Sequence, residues 1–269
     1  WSDHSYGKPI LGKEESLRAS NPDQMRSFHH RLYKGGNCCL SIAGEIPKGI
    51  ESLIENSHLS HLDKNSKKVS DRRSTSNISF HKFHKELEVP RLESARLLMA
   101  WQIQPAKEQL MVMGADIATS LLAEGRRSRL VHRLREELQI VESIDMDVTA
   151  LEQGGLILLE ACCKEQELET VEKEIHRVLN ETINSTPEKH EIDRACHLVK
   201  NGLCFNLEAT SQVAGLAGSQ ALWKRPQPLL SPLTHIDYWS GSKLKDEVFM
   251  QLQPENSCTL IAKPIEYSS

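Results

Sequence analysis

Apolar residues from position 78 onward recur with two different spacings. Short segments that are continuously apolar or alternate with polar residues predict β-strands, and segments with apolar residues three and four positions apart predict α-helices. The predicted strands cover residues 78–83, 95–104, 140–148, 156–163 and 257–262. The predicted helices cover residues 105–123, 130–138, 167–183, 187–209, 211–223 and 244–252. Pairs of strands followed by runs of helices indicate an α+β or mixed α/β fold.

The first sixty residues resemble only the end of another such unit. Asn21 followed by Pro22 is a helix start signal, because Asn caps the first free N–H groups and Pro fits the first helical position. Gly35 and Gly36 predict the end of that helix. The apolar run Cys38–Ala43 predicts a short buried strand, and Pro47 predicts the start of a further helix.

The composition changes between residues 64 and 77, where Lys and Arg lie among Ser, Asn and Thr. Such a stretch is typical of a solvated linker, so we place a domain boundary here. The predicted organisation is the end of a first domain at 1–63, a linker at 64–77 and a complete second domain at 78–269. A nucleic-acid-binding patch is the alternative for 64–77, but the segment lacks the aromatic residues on which bases stack.

Composition excludes several classes of protein. With 269 residues, 39% hydrophobic residues and a net charge of -4, the chain is neither disordered nor a strongly basic nucleic-acid binder. The sequence contains no run of 18 apolar residues, so it predicts no membrane-spanning helix. The chain begins with Trp1 rather than Met, which indicates a processing site or a start partway through a longer product.

Seven cysteines include the adjacent pairs Cys38–Cys39 and Cys162–Cys163. Neighbours in a strand point to opposite faces, so neither pair closes easily into a disulfide. We therefore expect buried, reduced thiols and an intracellular reducing compartment, cytoplasmic or organellar.

Candidate metal ligands are His58 with His61 and His81 with His84, but neither pair has a third ligand or a catalytic Glu beside it. We interpret them as surface or linker histidines, and we predict no metal ligand in this chain. Taken alone, the charged segment 125–137 indicates a charged helix face, because its Arg and Glu residues lie three or four positions apart.

Several motifs together resemble the M16 metallopeptidases, the family of insulinase, pitrilysin and the mitochondrial processing peptidases. Residues 4–17 resemble H-P-Y-G-R-P-I-L-G-x-E-E-S-I, and residues 125–137 resemble G-R-S-S-R-L-Y-x-x-L-R-E-E. Residues 23–33, 37–45 and 191–207 resemble further family segments in the same order. The resemblance implies an M16-type (LuxS/MPP-like) domain with an antiparallel or mixed sheet flanked by helices, preceded by the end of a similar domain.

The resemblance also implies a zinc site outside this chain. The family motif H-x-x-E-H precedes the segment that residues 4–17 resemble, so zinc belongs to the full-length enzyme and no cofactor is expected here. The family holds peptide substrate with an Arg and a Tyr seven residues later. Arg135 matches that Arg, whereas the Tyr position falls on Glu142, and a carboxylate cannot replace a phenol donor at neutral pH.

Two functions follow from the resemblance. In the first, the chain is part of a zinc endopeptidase, forms a wall of its peptide-binding chamber and is inactive alone. In the second, it is a non-catalytic partner or scaffold subunit that pairs with a catalytic half. The implied partners are peptide or unfolded polypeptide and a second M16-like half. For Arg135, pairing with the carboxylates between Glu136 and Glu142 is the structural alternative to substrate binding.

Overall fold

The computed structural model describes residues 1, 4–62, 78–222 and 227–265. These residues form two compact units. The first unit contains Trp1–Ser79 and Cys204–Ser231, and the second contains Phe80–Leu203 and Pro232–Ser269. Residues 204–231, which the predicted organisation groups with the second domain, thus lie in the first unit. The predicted linker at 64–77 lies outside the described residues, so the domain boundary stays a prediction.

The second unit contains a five-stranded sheet with the order β1-β5-β2-β4-β3. The strands are β1 (Phe83–Val89), β2 (Ala95–Ile103), β3 (Ser143–Ala150), β4 (Gly155–Cys163) and β5 (Cys258–Pro264). Strand β1 pairs in parallel with β5, and the other neighbours are antiparallel. The sheet is therefore mixed, and the α+β fold predicted from the sequence is confirmed.

Helices account for most of the remaining described residues. The α-helices are α1 (Glu14–Ala19), α2 (Pro22–Leu32), α3 (Ile50–Glu55), α4 (Gln109–Ala123), α5 (Leu168–Asn184), α6 (Lys189–Asn206), α7 (Thr210–Leu222), α8 (Ser231–Ile236) and α9 (Gly241–Glu247). A π-helix covers Val131–Glu137. Short 3-10 turns cover Ser5–Gly7, Gly35–Asn37, His58–His61, Glu165–Glu167, Phe249–Gln251 and Pro254–Asn256. No helix among these residues is long and apolar enough to cross a membrane.

The hydrophobic core of the second unit lies on one side of the sheet. Along β2, Leu97, Met99 and Trp101 are at most 1% exposed, whereas Leu98 and Ala100 between them are half-buried. Burial of these side chains against α4, α5 and the π-helix follows the two-residue period of a strand. The Trp101 indole N–H donates to the Gln253 carbonyl over 2.9 Å, so the polar atom of this buried ring is satisfied.

A glycine allows helix α4 to pack closely against the ring of Trp239. A Cβ atom on Gly114 would lie 2.2 Å from Cζ2 of the Trp239 ring. Trp239 is itself only 5% exposed, so its ring has little room to move. Glycine is therefore required at this point of the helix despite its poor helix propensity.

Several predicted boundaries are wrong. The strand predicted at 78–83 begins at Phe83, because β1 is an edge strand whose side chains are mostly exposed and carry no apolar pattern. The helix predicted from Pro105 begins at Gln109, since the Ala106 N–H is bonded to the Leu151 carbonyl. The helix predicted from Pro47 begins at Ile50, after Gly49 with a φ of 83°.

The first unit confirms one helix and corrects one strand. Asn21 caps α2 as predicted: its side chain accepts from the Gln24 N–H over 2.9 Å, and the Asn21 N–H donates to Gln24 Oε1 over 3.2 Å. The segment Cys38–Ala43 is not a buried strand, because none of the described strands pairs with it and Cys38 and Cys39 are exposed. Helices α1, α2, α3 and α7 contain no buried residue.

All seven cysteines are free thiols. The prediction of buried thiols is correct for Cys163 and wrong for Cys38, Cys39 and Cys204, which are exposed. Cys162 and Cys163 lie on opposite faces of β4, as the strand geometry requires.

Candidate functional site

The face of the sheet opposite the core is open within the second unit. Its centre is apolar, with half-buried side chains that alternate with the buried core residues along β2, β4 and β5. The strand register places these residues beside one another: Leu98 lies opposite Leu260 on one side, and Ala100 lies opposite Leu158 on the other. We call this surface the open face. Its central residues are Leu98, Ala100, Leu156, Leu158 and Leu260.

The β3 edge of the open face is acidic. Asp145 and Asp147 are exposed and point to this side. The residues that alternate with them along β3, Ile144, Met146 and Val148, pack toward the core. Asp145 lies directly opposite Glu160 of β4 in the register. Glu160 is paired with Arg96 of β2, so one of the three carboxylates already has a cation.

A small polar cluster lies where β3 and β4 meet their neighbouring loops. The Ser94 hydroxyl donates to Glu142 Oε1 over 3.0 Å, and the Cys162 thiol donates to Glu142 Oε2 over 3.5 Å. Burial raises the pKa of the Cys162 thiol, and the neighbouring Glu142 carboxylate raises it further. The thiol is therefore kept protonated, which disfavours a nucleophilic role.

The two residues that the family resemblance singled out have separate contacts. Arg135 lies on the π-helix, and its Nε and one terminal nitrogen donate to Glu136 Oε1 over 3.0 and 2.9 Å. Glu142 bonds instead to Ser94 and Cys162. A substrate-binding role for either residue stays a prediction.

Most of the charged segment 125–137 has a structural role. Arg129 forms two 2.7 Å bonds to the Glu191 carboxylate of α6 and a 3.1 Å bond to the Thr182 hydroxyl of α5. The bond from Arg129 lowers the pKa of Glu191, against the effect of burial. Arg133 donates to Glu174 of α5 over 2.8 Å and to Glu137 over 3.0 Å. Arg133 thus connects the π-helix to α5, and Arg129, two residues before that helix, connects to α5 and α6.

The start of this segment is fixed by a turn. Gly125 has a φ of 77°, a conformation that favours glycine. The buried Ser128 hydroxyl donates to the Gly125 carbonyl over 2.6 Å. The Gly and Ser of the motif are therefore explained by local backbone geometry.

The histidine pairs interpreted from the sequence as surface or linker residues have separate contacts. The ion-pair partner of His84 is Glu172 of α5: His84 Nε2 lies 2.9 Å from Glu172 Oε1, and His176 Nε2 lies 4.0 Å from the same oxygen. His58 and His61 lie on a short 3-10 turn with ring centroids 6.2 Å apart. Within the described ranges, no group of three or more His, Cys, Asp or Glu side chains is disposed to hold a metal ion.

Sequence reasoning did not predict two features of this region. The acidic edge was missed because a strand period shows which residues share a face but not which face remains open. The contact of Glu172 with His84 was missed because it joins β1 to α5 across 88 positions of sequence. The i to i+4 spacing of Glu172 and His176 was the one available signal.

The fold and the open face define a single-sided α+β domain, with helices on one side of its sheet. A family model described as Peptidase M16 inactive domain matches residues 20–199, which is more than half of the chain. The chain therefore belongs to the M16 peptidase family, in the part that this inactive-domain model describes.

Curated relatives match this chain at low identity. An uncharacterized zinc protease of Bacillus subtilis, YmxG, is 22% identical over 225 residues, covering 82% of this chain and 53% of the relative. An uncharacterized zinc protease of Rickettsia felis is 20% identical over 240 residues, covering 88% of this chain and 57% of the relative. The chain thus spans about half the length of the curated relatives it matches.

Solved structures confirm the fold. A peptidase M16 inactive domain from Pseudomonas fluorescens has a TM-score of 0.79 at 15% identity, covering 98% of this chain and 63% of that one. A protease from Helicobacter pylori has a TM-score of 0.75 at 17% identity, with coverages of 96% and 63%. A chain of Complex III2 from Candida albicans has a TM-score of 0.72 at 16% identity, with coverages of 95% and 61%.

Proposed function

We propose that this chain is part of an M16-type zinc endopeptidase and forms a wall of its peptide-binding chamber. The observation that carries the proposal is the open face: a sheet whose other side is packed against helices presents a half-buried apolar centre with a polar rim. Such a surface suits an extended polypeptide, because apolar side chains can pack on the centre while polar groups stay at the rim.

The zinc site of the proposed enzyme lies outside this chain. The family ligands are two His and a Glu, with a second Glu as general base toward zinc-bound water. Bound zinc would supply the activated water for hydrolysis. The residues of this chain would contribute by holding and orienting the polypeptide, and a second M16-like half would close the chamber.

We further propose that Arg135 contacts substrate when the chamber is complete. Its guanidinium is about two fifths exposed and is paired with Glu136, an adjacent residue that can release it to another carboxylate at little cost. Glu142, at the family's Tyr position, accepts hydrogen bonds from Ser94 and Cys162. In this proposal it therefore orders the polar rim of the open face.

The test of the chamber wall uses the full-length protein that contains this chain. The substitution Leu158→Arg places a charge at the centre of the open face without removing a core side chain. We expect peptide cleavage to fall severalfold through a raised KM, while the thermal unfolding temperature stays close to that of the parent protein. Glu169→Arg, on the exposed surface of α5, is the control and should leave KM unchanged.

Equal cleavage by the parent protein and Leu158→Arg would contradict the proposal. The chain alone should neither bind zinc tightly nor cleave peptides. One tight zinc per chain, together with cleavage that a chelator abolishes, would place the catalytic site within the chain and overturn its assignment to a segment upstream.

A non-catalytic partner subunit is the second candidate function. The likeness to a chain of Complex III2 from Candida albicans favours it, since that chain shares the fold. The coding sequence upstream of Trp1 distinguishes the two: an H-x-x-E-H motif supports the endopeptidase, and a natural start without one supports the partner subunit.

A further inference from the structure

A cleft of about 330 Å³ lies between the charged segment 125–137 and helix α5. Both elements pack on the core side of the sheet, so the cleft is separate from the open face. Four basic side chains line it, those of Arg129, His132, Arg133 and Arg177. The same lining contains one carboxylate, that of Glu181, so arginine charge exceeds carboxylate charge on its walls. We call this site the arginine cleft.

Carboxylates outside the lining hold the arginines in place. Glu174 Oε2 accepts from Arg133 Nε over 2.8 Å, and from Nε and a terminal nitrogen of Arg177 over 3.1 and 3.0 Å. The hydrogen bonds from Arg133 and Arg177 lower the pKa of the Glu174 carboxyl. One carboxylate thus serves two guanidinium groups, which brings two positive charges together. Glu191, also outside the lining, fixes Arg129 through two 2.7 Å bonds.

The other acceptors of these arginines are exposed to solvent. Arg133 also pairs with Glu137, which is 45% exposed, and Arg177 also pairs with Glu181, which is 60% exposed. Exposed ion pairs contribute little, because water solvates both charges. Among the described residues, Nη2 of Arg133 has no hydrogen-bond partner. An anion with more charge than a carboxylate can therefore replace Glu181 inside the cleft at small cost.

We propose that the arginine cleft binds a small phosphate monoester through Arg133 and Arg177. A phosphate group carries about 1.5 to 2 negative charges and three acceptor oxygens, so it matches two guanidinium groups better than one carboxylate does. The cleft volume of about 330 Å³ is that of a small ligand site, which leaves room for the group that carries the phosphate. The proposal does not depend on the chamber wall, since the cleft lies on the other side of the sheet.

Isothermal titration calorimetry of the whole chain, at neutral pH and low salt, measures this binding. The probes are O-phosphoserine, inorganic phosphate and acetate. We expect O-phosphoserine to bind at least as tightly as inorganic phosphate, and both to bind on the order of tenfold more tightly than acetate. Added salt should weaken binding, because it screens the arginines. Binding of inorganic phosphate without binding of O-phosphoserine would overturn the monoester and indicate a site for the free ion.

Two substitutions in the lining have opposite expected effects. Arg177→Gln removes one guanidinium and should weaken O-phosphoserine binding on the order of tenfold. Glu181→Gln removes the one carboxylate of the lining and should strengthen binding severalfold, a gain that damage to the fold does not produce. Lys173→Gln removes a positive charge from the same helix outside the lining and should bind like the parent chain. Circular dichroism checks the folding of each variant.

Several results would overturn the proposal. They are the absence of saturable phosphate binding by the parent chain, equal affinity for phosphate and acetate, or equal losses in Arg177→Gln and Lys173→Gln. Unchanged affinity in Arg177→Gln would also place the binding elsewhere. If Arg177→Gln does not fold, Glu181→Gln decides: tighter binding supports the arginine cleft, and equal or weaker binding contradicts it. The chamber wall stands in each case, because none of these residues lies on the open face.

Discussion

Asp116 on helix α4 provides a pH-dependent test of the packing. The helix is largely buried, and burial raises the pKa of the Asp116 carboxyl from 3.8 to about 6. The folded state therefore retains a proton between these two values that the unfolded state has lost. Stability from this group is fully present below about pH 4 and decreases as the pH rises through about 6.

The size of the effect follows from the shift. A difference of about two pKa units corresponds to about 3 kcal/mol, which is an upper limit because Asp116 keeps some contact with solvent. Replacing Asp116 with Asn removes the ionisation while nearly preserving the shape. We expect Asp116→Asn to be more stable than the parent chain at pH 7, by up to about 3 kcal/mol, and about equally stable at pH 4.

Urea unfolding at a series of pH values from 4 to 7, followed by circular dichroism, measures this difference. The comparison isolates Asp116, because carboxylates whose pKa is lowered by ion pairs, such as Glu174 and Glu191, titrate equally in both proteins. Asp193→Asn is the control for a change of charge at an exposed site. A stability difference that does not vary with pH would refute burial as the cause of the shift.

Two further substitutions test the packing. Gly114→Ala should destabilise the chain by about 1–3 kcal/mol in thermal unfolding, because its Cβ would overlap the Trp239 ring. The control Gly202→Ala in α6 has open space around the new Cβ and should be neutral or stabilising. Equal effects of the two substitutions would contradict the close packing at Gly114. Arg129→Ala should cost about 1–3 kcal/mol by removing the two bonds from Arg129 to the half-buried Glu191. Because these bonds lower the pKa of Glu191, the difference should shrink as the pH falls through that lowered pKa and Glu191 is protonated. Arg18→Ala breaks an exposed pair and should change stability by less than about 0.5 kcal/mol, so a comparable loss there would refute the argument.

Strands and helices with strong patterns could be predicted from the sequence. The buried face of β2 and the alternation of β3 identified both strands, and Asn21–Pro22 identified the start of α2. Cys38–Ala43 could not be assigned in this way, because an apolar run forms a strand only where a neighbouring strand accepts its hydrogen bonds. The start of edge strand β1 was predicted wrongly, because its exposed side chains show no alternation of apolar and polar residues.

The candidate site was less accessible to sequence reasoning than the fold. The period of β2 and β4 divides each strand into two faces, but only the packing of α4, α5 and the π-helix on one of them leaves the other open. The roles of Arg129 and Arg133 were likewise hidden, since Glu191 and Glu174 are distant in sequence. Arg135 and Glu142 came from the family resemblance, and their roles stay predictions.

Photo-crosslinking of a bound peptide to the full-length protein tests the central claim most directly. A peptide with a photoreactive apolar residue, analysed by mass spectrometry after irradiation, should attach to the centre of the open face at Leu98, Leu158 or Leu260. Attachment mainly to the exposed surfaces of α5 and α6, on the other side of the sheet, would contradict the account.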